Sequence, residues 1–208
     1  MLLSNTLKSL TAIEQARVRV SAASSSNLLN SADTDTTYEG LFLKSHVVFE
    51  NYLEKLFFLI VSSKINYPQT RAKLRANFTS TRSAVQITKG GDDYLDWLPY
   101  KKTLSRAETW LVSGRPFSEL EDGDRQFLRA ATTTRNHIAH NSPHTKKLFL
   151  SKVIGNSNLP PTKRNPAGWL RSKTRLGHQD DRLQAYIMQY GQCAKQLYPA
   201  ALASRELK

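Results

Sequence analysis

The segment Arg135-Asn136-His137-Ile138-Ala139-His140 places a guanidinium, a carboxamide and two imidazoles within six residues. A fixed cation beside a group that titrates at about pH 6.5 suits phosphate chemistry. The arginine holds phosphoryl oxygens and their developing charge, and the imidazole moves protons. On an ideal helix Arg135 falls within the apolar stripe of Phe127, Ala131 and Ile138, so its guanidinium starts from the core side. A charge there is tolerated only when paired or lining a cleft. Asn136 and His140 are four apart and share a neighbouring face. Arg135 and His140 lie about 140° apart on a straight helix. They converge only if the helix bends or ends between them, or if a second subunit supplies the missing partner.

Other residues compete for a role. His46, Glu50 and Glu54 are spaced by four and read as one polar row, which serves as a solvated stripe, an intrahelical pairing or part of a site. His137 reads as a solvent-facing residue or a second proton-transfer group. His137, His140 and His144 have neither a cysteine nor a nearby carboxylate to complete a metal cluster, so no metal is expected. The chain has no Gly-rich phosphate loop, and no cofactor is expected. Trp97, Trp110 and Trp169 read as core or loop anchors, with Trp169 the best placed of them to stack on a base.

Charge points to the partner. Thirty Lys and Arg stand against 17 Asp and Glu, a net charge of +13. From Arg125 to His178 there is no acidic residue, while Arg125, Arg129, Arg135, Lys146, Lys147, Lys152, Lys163, Arg164, Arg171, Lys173 and Arg175 all fall inside. Such a stretch favours a polyanion, because each phosphate neutralised releases condensed counterions. Lys146, Lys147, Lys163, Arg164, Arg171, Lys173 and Arg175, in or near the loop-like part of that stretch, are the candidate RNA contacts. No helical pattern is basic on one face and strongly apolar on the other, which argues against a membrane surface. No apolar run approaches the ~18 to 20 residues of a membrane span; the most apolar stretch, Leu53 to Val61, is interrupted by Glu54 and Lys55. The N-terminus shows no apolar core followed by a cleavage site, and the one cysteine, Cys193, cannot form an internal disulfide. A cytoplasmic protein is expected.

The elements that must position these residues read as helices throughout. Apolar residues recur at helical spacing over 4–24, then the Ser- and Thr-rich segment Ser24 to Thr37 reads as a loop. From Tyr38 to Ser63, Leu41, Phe42, Phe49, Tyr52, Leu53, Leu56, Phe57 and Ile60 make a wide apolar face and a central helix. One or two short helices follow Pro68, and another runs from Tyr100 to Val112 with Gly114 after its end. The motif helix begins near Asp122 or Asp124, either of which can cap it. Gly155 to His178 reads as a long, partly ordered loop, and Asp180 to Leu202 as a last helix. Together these predict an all-α bundle of about five or six helices forming one domain over 1–208, its core at about 36–200.

The string RNHIAH, with its Arg, four intervening residues and His, resembles the Arg-x4-to-6-His motif of the HEPN superfamily, in the form of its small bacterial branches such as RiboL-PSP-type proteins. The segment FENYLEKLF (Phe49 to Phe57) upstream, a variable middle and the motif helix fit that pattern over roughly residues 36–200. The resemblance implies a metal-independent endoribonuclease acting as a homodimer, with two motifs facing across a two-fold cleft. It implies 2′-OH attack on the adjacent phosphate, leaving a 2′,3′-cyclic phosphate and a 5′-OH. Carried over, Arg135 binds the phosphate, His140 is the general acid or base, and Asn136 orients one of them. Glu50, and after it Glu54, matches the acidic residue of the family's second helix. Many relatives are toxins or anti-phage effectors, often with an antitoxin or sensor protein. Ser142 stands where one branch carries a tyrosine that is modified with AMP, so that mode of control is not expected. The alternative is a non-catalytic HEPN-like module whose Arg only holds phosphate on a nucleic acid, a nucleotide or a partner protein.

Overall fold

A computed structural model describes residues 1–62, 74–75, 78, 80–90, 94–174 and 181–198. Helical periodicity is realised there in α1 (Leu2–Ser25), α2 (Ser31–Val61), α3 (Thr81–Lys89), α4 (Tyr100–Trp110), α5 (Asp122–His140), α6 (Pro143–Phe149), α7 (Pro166–Arg171) and α8 (Arg182–Leu197). Among the described residues β-pairing is limited to isolated bridges, so the fold is all-α. No helix of the described residues is long and apolar enough to cross a membrane.

Of two segments read as loops, the first is largely helical and the second carries short helical elements. The Ser24–Thr37 loop shrinks to the few residues between α1 and α2. Asn30 accepts the Asp33 N–H at 2.8 Å, while Thr34, Thr36 and Thr37 turn their hydroxyls onto carbonyls four residues back. Hydroxyl and carboxamide side chains thus start a helix where composition suggested they would break one. The basic stretch after Gly155 is likewise built, with a turn at Pro161–Lys163 and then α7. Asn165 caps α7 by accepting the Gly168 N–H at 2.7 Å. A Cβ at Gly168 would sit 2.6 Å from the Lys163 carbonyl oxygen, so glycine lets the basic turn lie directly on α7. Arg175, among the candidate RNA contacts, lies outside the described residues, as do 199–202 of the last expected helix. Gly114 closes a short 3₁₀ turn, Val112–Gly114, beyond α4 rather than α4 itself.

The chain gathers into two compact units of discontinuous segments. The first comprises Met1–Thr6, Phe49–Leu128 and Gln192–Lys208. Its core is the apolar face of α2, where Phe57 meets Trp97 at 5.0 Å and Phe117 at 6.1 Å between ring centres. Arg106 covers Trp97 at 5.0 Å, and the Thr103 hydroxyl donates to the Trp97 carbonyl. Trp97 is therefore a core anchor, as expected.

The second unit comprises Leu7–Val48 and Arg129–Gly191 and carries the motif. Here α2 and α8 meet at successive turns, with partners four apart on α2 and five, then four, apart on the α8 side. Tyr38 donates to Asp181 at 2.8 Å, Phe42 packs edge-on against Tyr186 at 5.1 Å, and His46 Nδ1 lies 2.7 Å from the Tyr190 hydroxyl. Both sets of partners advance in the same chain direction, so the two helices run parallel through this stretch. Asp181 also takes Arg17 of α1 at 2.6 Å and accepts the Gln184 N–H at 3.0 Å, capping α8. The other face of Arg17 is held by Glu14. Because this ion pair is buried, removing one partner strands the other charge. Asp181→Ala is expected to lower the unfolding free energy by about 3–5 kcal/mol in urea titrations, and a loss within experimental error would show that the pair does not hold the helices.

Candidate functional site

α5 stays helical to His140 and ends cleanly there. Asn141 adopts a left-handed backbone (φ 39), its N–H bonds the His137 carbonyl at 2.9 Å, and Ser142 and Thr145 form a reciprocal capping box that starts α6 at Pro143. The helix therefore ends beyond His140 rather than between Arg135 and His140, and these two side chains leave one chain in different directions. His140 is exposed; Arg135 and Asn136 are half-buried.

Arg135 starts from the core side, in keeping with its place in the apolar stripe. Its guanidinium donates to the Asn136 side-chain oxygen at 3.3 Å, and among the described residues no carboxylate pairs with it. His46, which is 2% exposed, lies near enough for the Arg135 charge to be felt at its ring. Burial first, and the Arg135 charge second, push the His46 imidazole down to a pKa of about 3. His46 is thus a neutral ring hydrogen-bonded to Tyr190, and the reading of its row as a solvated stripe is overturned. Residues four apart drift about 40° round a helix per step, so His46 turns inward while Glu50 and Glu54 stay half-buried. In the other unit, Glu50 accepts the Trp97 and Leu98 N–H groups at 3.0 and 3.2 Å, a backbone-clamping role that spacing alone does not reveal.

His137 is not solvent-facing. It is 6% exposed, its ring lies 5.2 Å from that of Phe149, and Nδ1 sits 3.4 Å from the Thr145 hydroxyl. Burial, then the Lys146 charge, lowers its pKa below the ordinary 6.5. It lines a pocket of about 690 Å³ with Lys146, Arg164, Asn141 and Glu39. Among the described residues no three His, Cys, Asp or Glu side chains are placed to share a metal ion.

The remaining basic candidates divide. Lys146, Lys147, Lys163, Arg164 and Lys173 are exposed. Arg171 is paired with Asp35 at 2.5 Å, which takes up its charge. Trp169 has one face covered by the Arg182 guanidinium at 3.8 Å and its N–H directed at Tyr186 at 3.5 Å. It anchors α7 and has that face closed to a base. His46 and Tyr190 are the residues sequence reading undervalued. The signal was the shared four-residue step on two apolar helices, which is visible only once the helices are paired.

No protein-family model matches the chain, and neither a curated protein nor a solved structure matches it.

A neutral buried histidine makes stability depend on acid. The unfolded chain binds a proton at His46 below about pH 6.5, whereas the folded chain does so only near a pKa of about 3. Stability is therefore full above pH 6.5 and falls as pH drops toward 3, with a limiting slope of about 1.4 kcal/mol per pH unit from this group. Urea titrations across that window are expected to show this slope in the wild type and a flatter one in His46→Gln. Equal slopes would mean that other groups carry the effect.

Proposed function

We propose that this chain is a cytoplasmic, HEPN-like, metal-independent endoribonuclease. The observation that carries the reading is the half-buried Arg135 guanidinium, steadied by Asn136 and lacking a carboxylate partner among the described residues. A cation in that setting gains most from a bound anion. The acid-free run around it and the exposed lysines point to a polyanion, and RNA supplies both the phosphate and the 2′-OH nucleophile. In this reading Arg135 binds the scissile phosphate and its developing charge. Asn136 holds Arg135 in place, and His140 takes the 2′-OH proton or delivers one to the 5′-oxygen. The attacking oxygen forms the cyclic phosphodiester as the P–O5′ bond breaks, so no water or metal is needed for that step. Arg135 and His140 diverge on one chain, so the complete centre takes Arg135 from one protomer and His140 from the other. A toxin or anti-phage role, with an antitoxin or sensor as partner, follows from the HEPN resemblance.

A second reading is supported by the same divergence. If the chain acts alone, Arg135 holds phosphate without an acid–base partner, and the protein is an RNA-binding module.

The two separate in one experiment. Purified wild type is incubated with tRNA and single-stranded RNA in EDTA, beside Arg135→Ala, His140→Ala and an equal mixture of the two variants. The enzyme reading expects cleavage by the wild type to cyclic-phosphate ends, loss of cleavage in each variant, and binding close to intact in His140→Ala. In the mixture, mixed dimers regain one intact centre and cleavage returns. No cleavage by the wild type, with salt-sensitive binding, supports the module. Cleavage that the mixture fails to restore would sink the shared centre.

A further inference from the structure

The pocket beside the motif has a chemistry of its own. Its volume, about 690 Å³, falls within the range of roughly 300–1,000 Å³ typical of small-molecule sites. Two cations line it, and both retain free donors among the described residues. Arg164 uses Nε to hold the Leu159 carbonyl at 2.9 Å, which fixes the guanidinium while its terminal nitrogens have no partner there. The Lys146 ammonium has none either, and it lies near enough to His137 for its charge to be felt at that ring. Ile138, Leu150 and Ile154 add apolar surface to the same lining.

These features select a ligand. A guanidinium held in place and an ammonium with all its donors free among the described residues suit a phosphate. An inorganic phosphate would leave most of the volume empty, whereas an apolar wall suits a flat ring. The Asn141 carboxamide lines the same pocket and offers both a donor and an acceptor to the edge of such a ring. Glu39, also in the lining, has its carboxyl pushed up by burial against the opposing effect of the Ala167 N–H.

We infer that this pocket binds one nucleoside monophosphate unit, its phosphate on Lys146 and Arg164 and its base against Ile138, Leu150 and Ile154. The unit is either a free nucleotide or one residue of an RNA strand, and the inference stands whether or not Arg135 and His140 cleave RNA.

The full chain is titrated calorimetrically with AMP, GMP, CMP and UMP, and with trinucleotides 2′-O-methylated so that they cannot be cut. The His137 ring signals are followed by NMR. A phosphate dianion beside His137 favours its protonated form against Lys146 and Arg164, so its titration moves to higher pH in the complex. Saturable binding that shifts His137, and that weakens about tenfold or more in Lys146→Ala and in Arg164→Ala, is the expected result. Both side chains are exposed, and unchanged thermal melting will show that the variants are folded. Binding of single nucleotides as tight as that of trinucleotides identifies a free nucleotide, and binding of trinucleotides alone identifies the strand. The inference is overturned if neither binds, if binding leaves the His137 signals unmoved, or if it persists undiminished in the double variant.

Discussion

Asp181 is the residue on which the second unit hangs. One carboxylate receives the Arg17 guanidinium, the Tyr38 hydroxyl and the first free N–H groups of α8. In doing so it fixes α1, α2 and the start of α8 at a single buried point. Beyond it the α2–α8 contact continues through Phe42 and Tyr186 and, one four-residue step on, to His46 and Tyr190. A buried charge is a poor source of net stability, but it is intolerant of misplacement. A slip of α8 by one residue would separate Asp181 from its partners and leave His46 without its phenol. Register at the candidate site is thus set by an ion pair well away from it.

That register decides what Arg135 experiences. The Tyr186 hydroxyl is hydrogen-bonded to Thr134, the residue before Arg135, so α5 is tied to the same ladder. Within reach of the Arg135 charge is a histidine, His46, that burial keeps neutral, and the cation itself strengthens that bias. A carboxylate at position 46 would have neutralised the guanidinium and competed with any phosphate. A charged imidazole would have repelled it. A neutral ring, locked by Tyr190, does neither.

The all-α class was legible because long apolar stripes at three and four residues need only local geometry to be read. The central helix and the motif helix follow from Phe42 to Ile60 and from Phe127 to Ile138 in that way. Illegible were the short elements. α6 and α7, of seven and six residues, are too short for periodicity, and depend on the Ser142 and Asn165 caps and on the Cβ-free surface of Gly168. The Ser/Thr-rich start of α2 misled for a related reason. The same hydroxyls that favour loops also bond backward to carbonyls once a helix is nucleated. At the site, the core-side position of Arg135 and its angle to His140 came from the helical wheel. The inward turn of His46 and His137 did not, because both depend on partners distant in sequence or beyond a helix break.

The two faces of the end of α5 remain to be related. His137 and Asn141 look into the pocket, and His140 is about 60° round the helix from His137, on the solvent side. Arg135 is about 140° further on from His140 in the same sense. A strand with one nucleotide seated on Lys146 and Arg164 would therefore pass His140 before reaching anything on the face of Arg135. On the reading proposed above, the pocket would supply position, His140 the proton, and a second copy the arginine that completes the centre. Binding and chemistry are then separable by construction, since the groups that hold the nucleotide are not those that would break the chain. The angle at which one helix end sets Arg135 and His140 is what suits the proposed centre to two copies, because the backbone points the two side chains to different sides of α5.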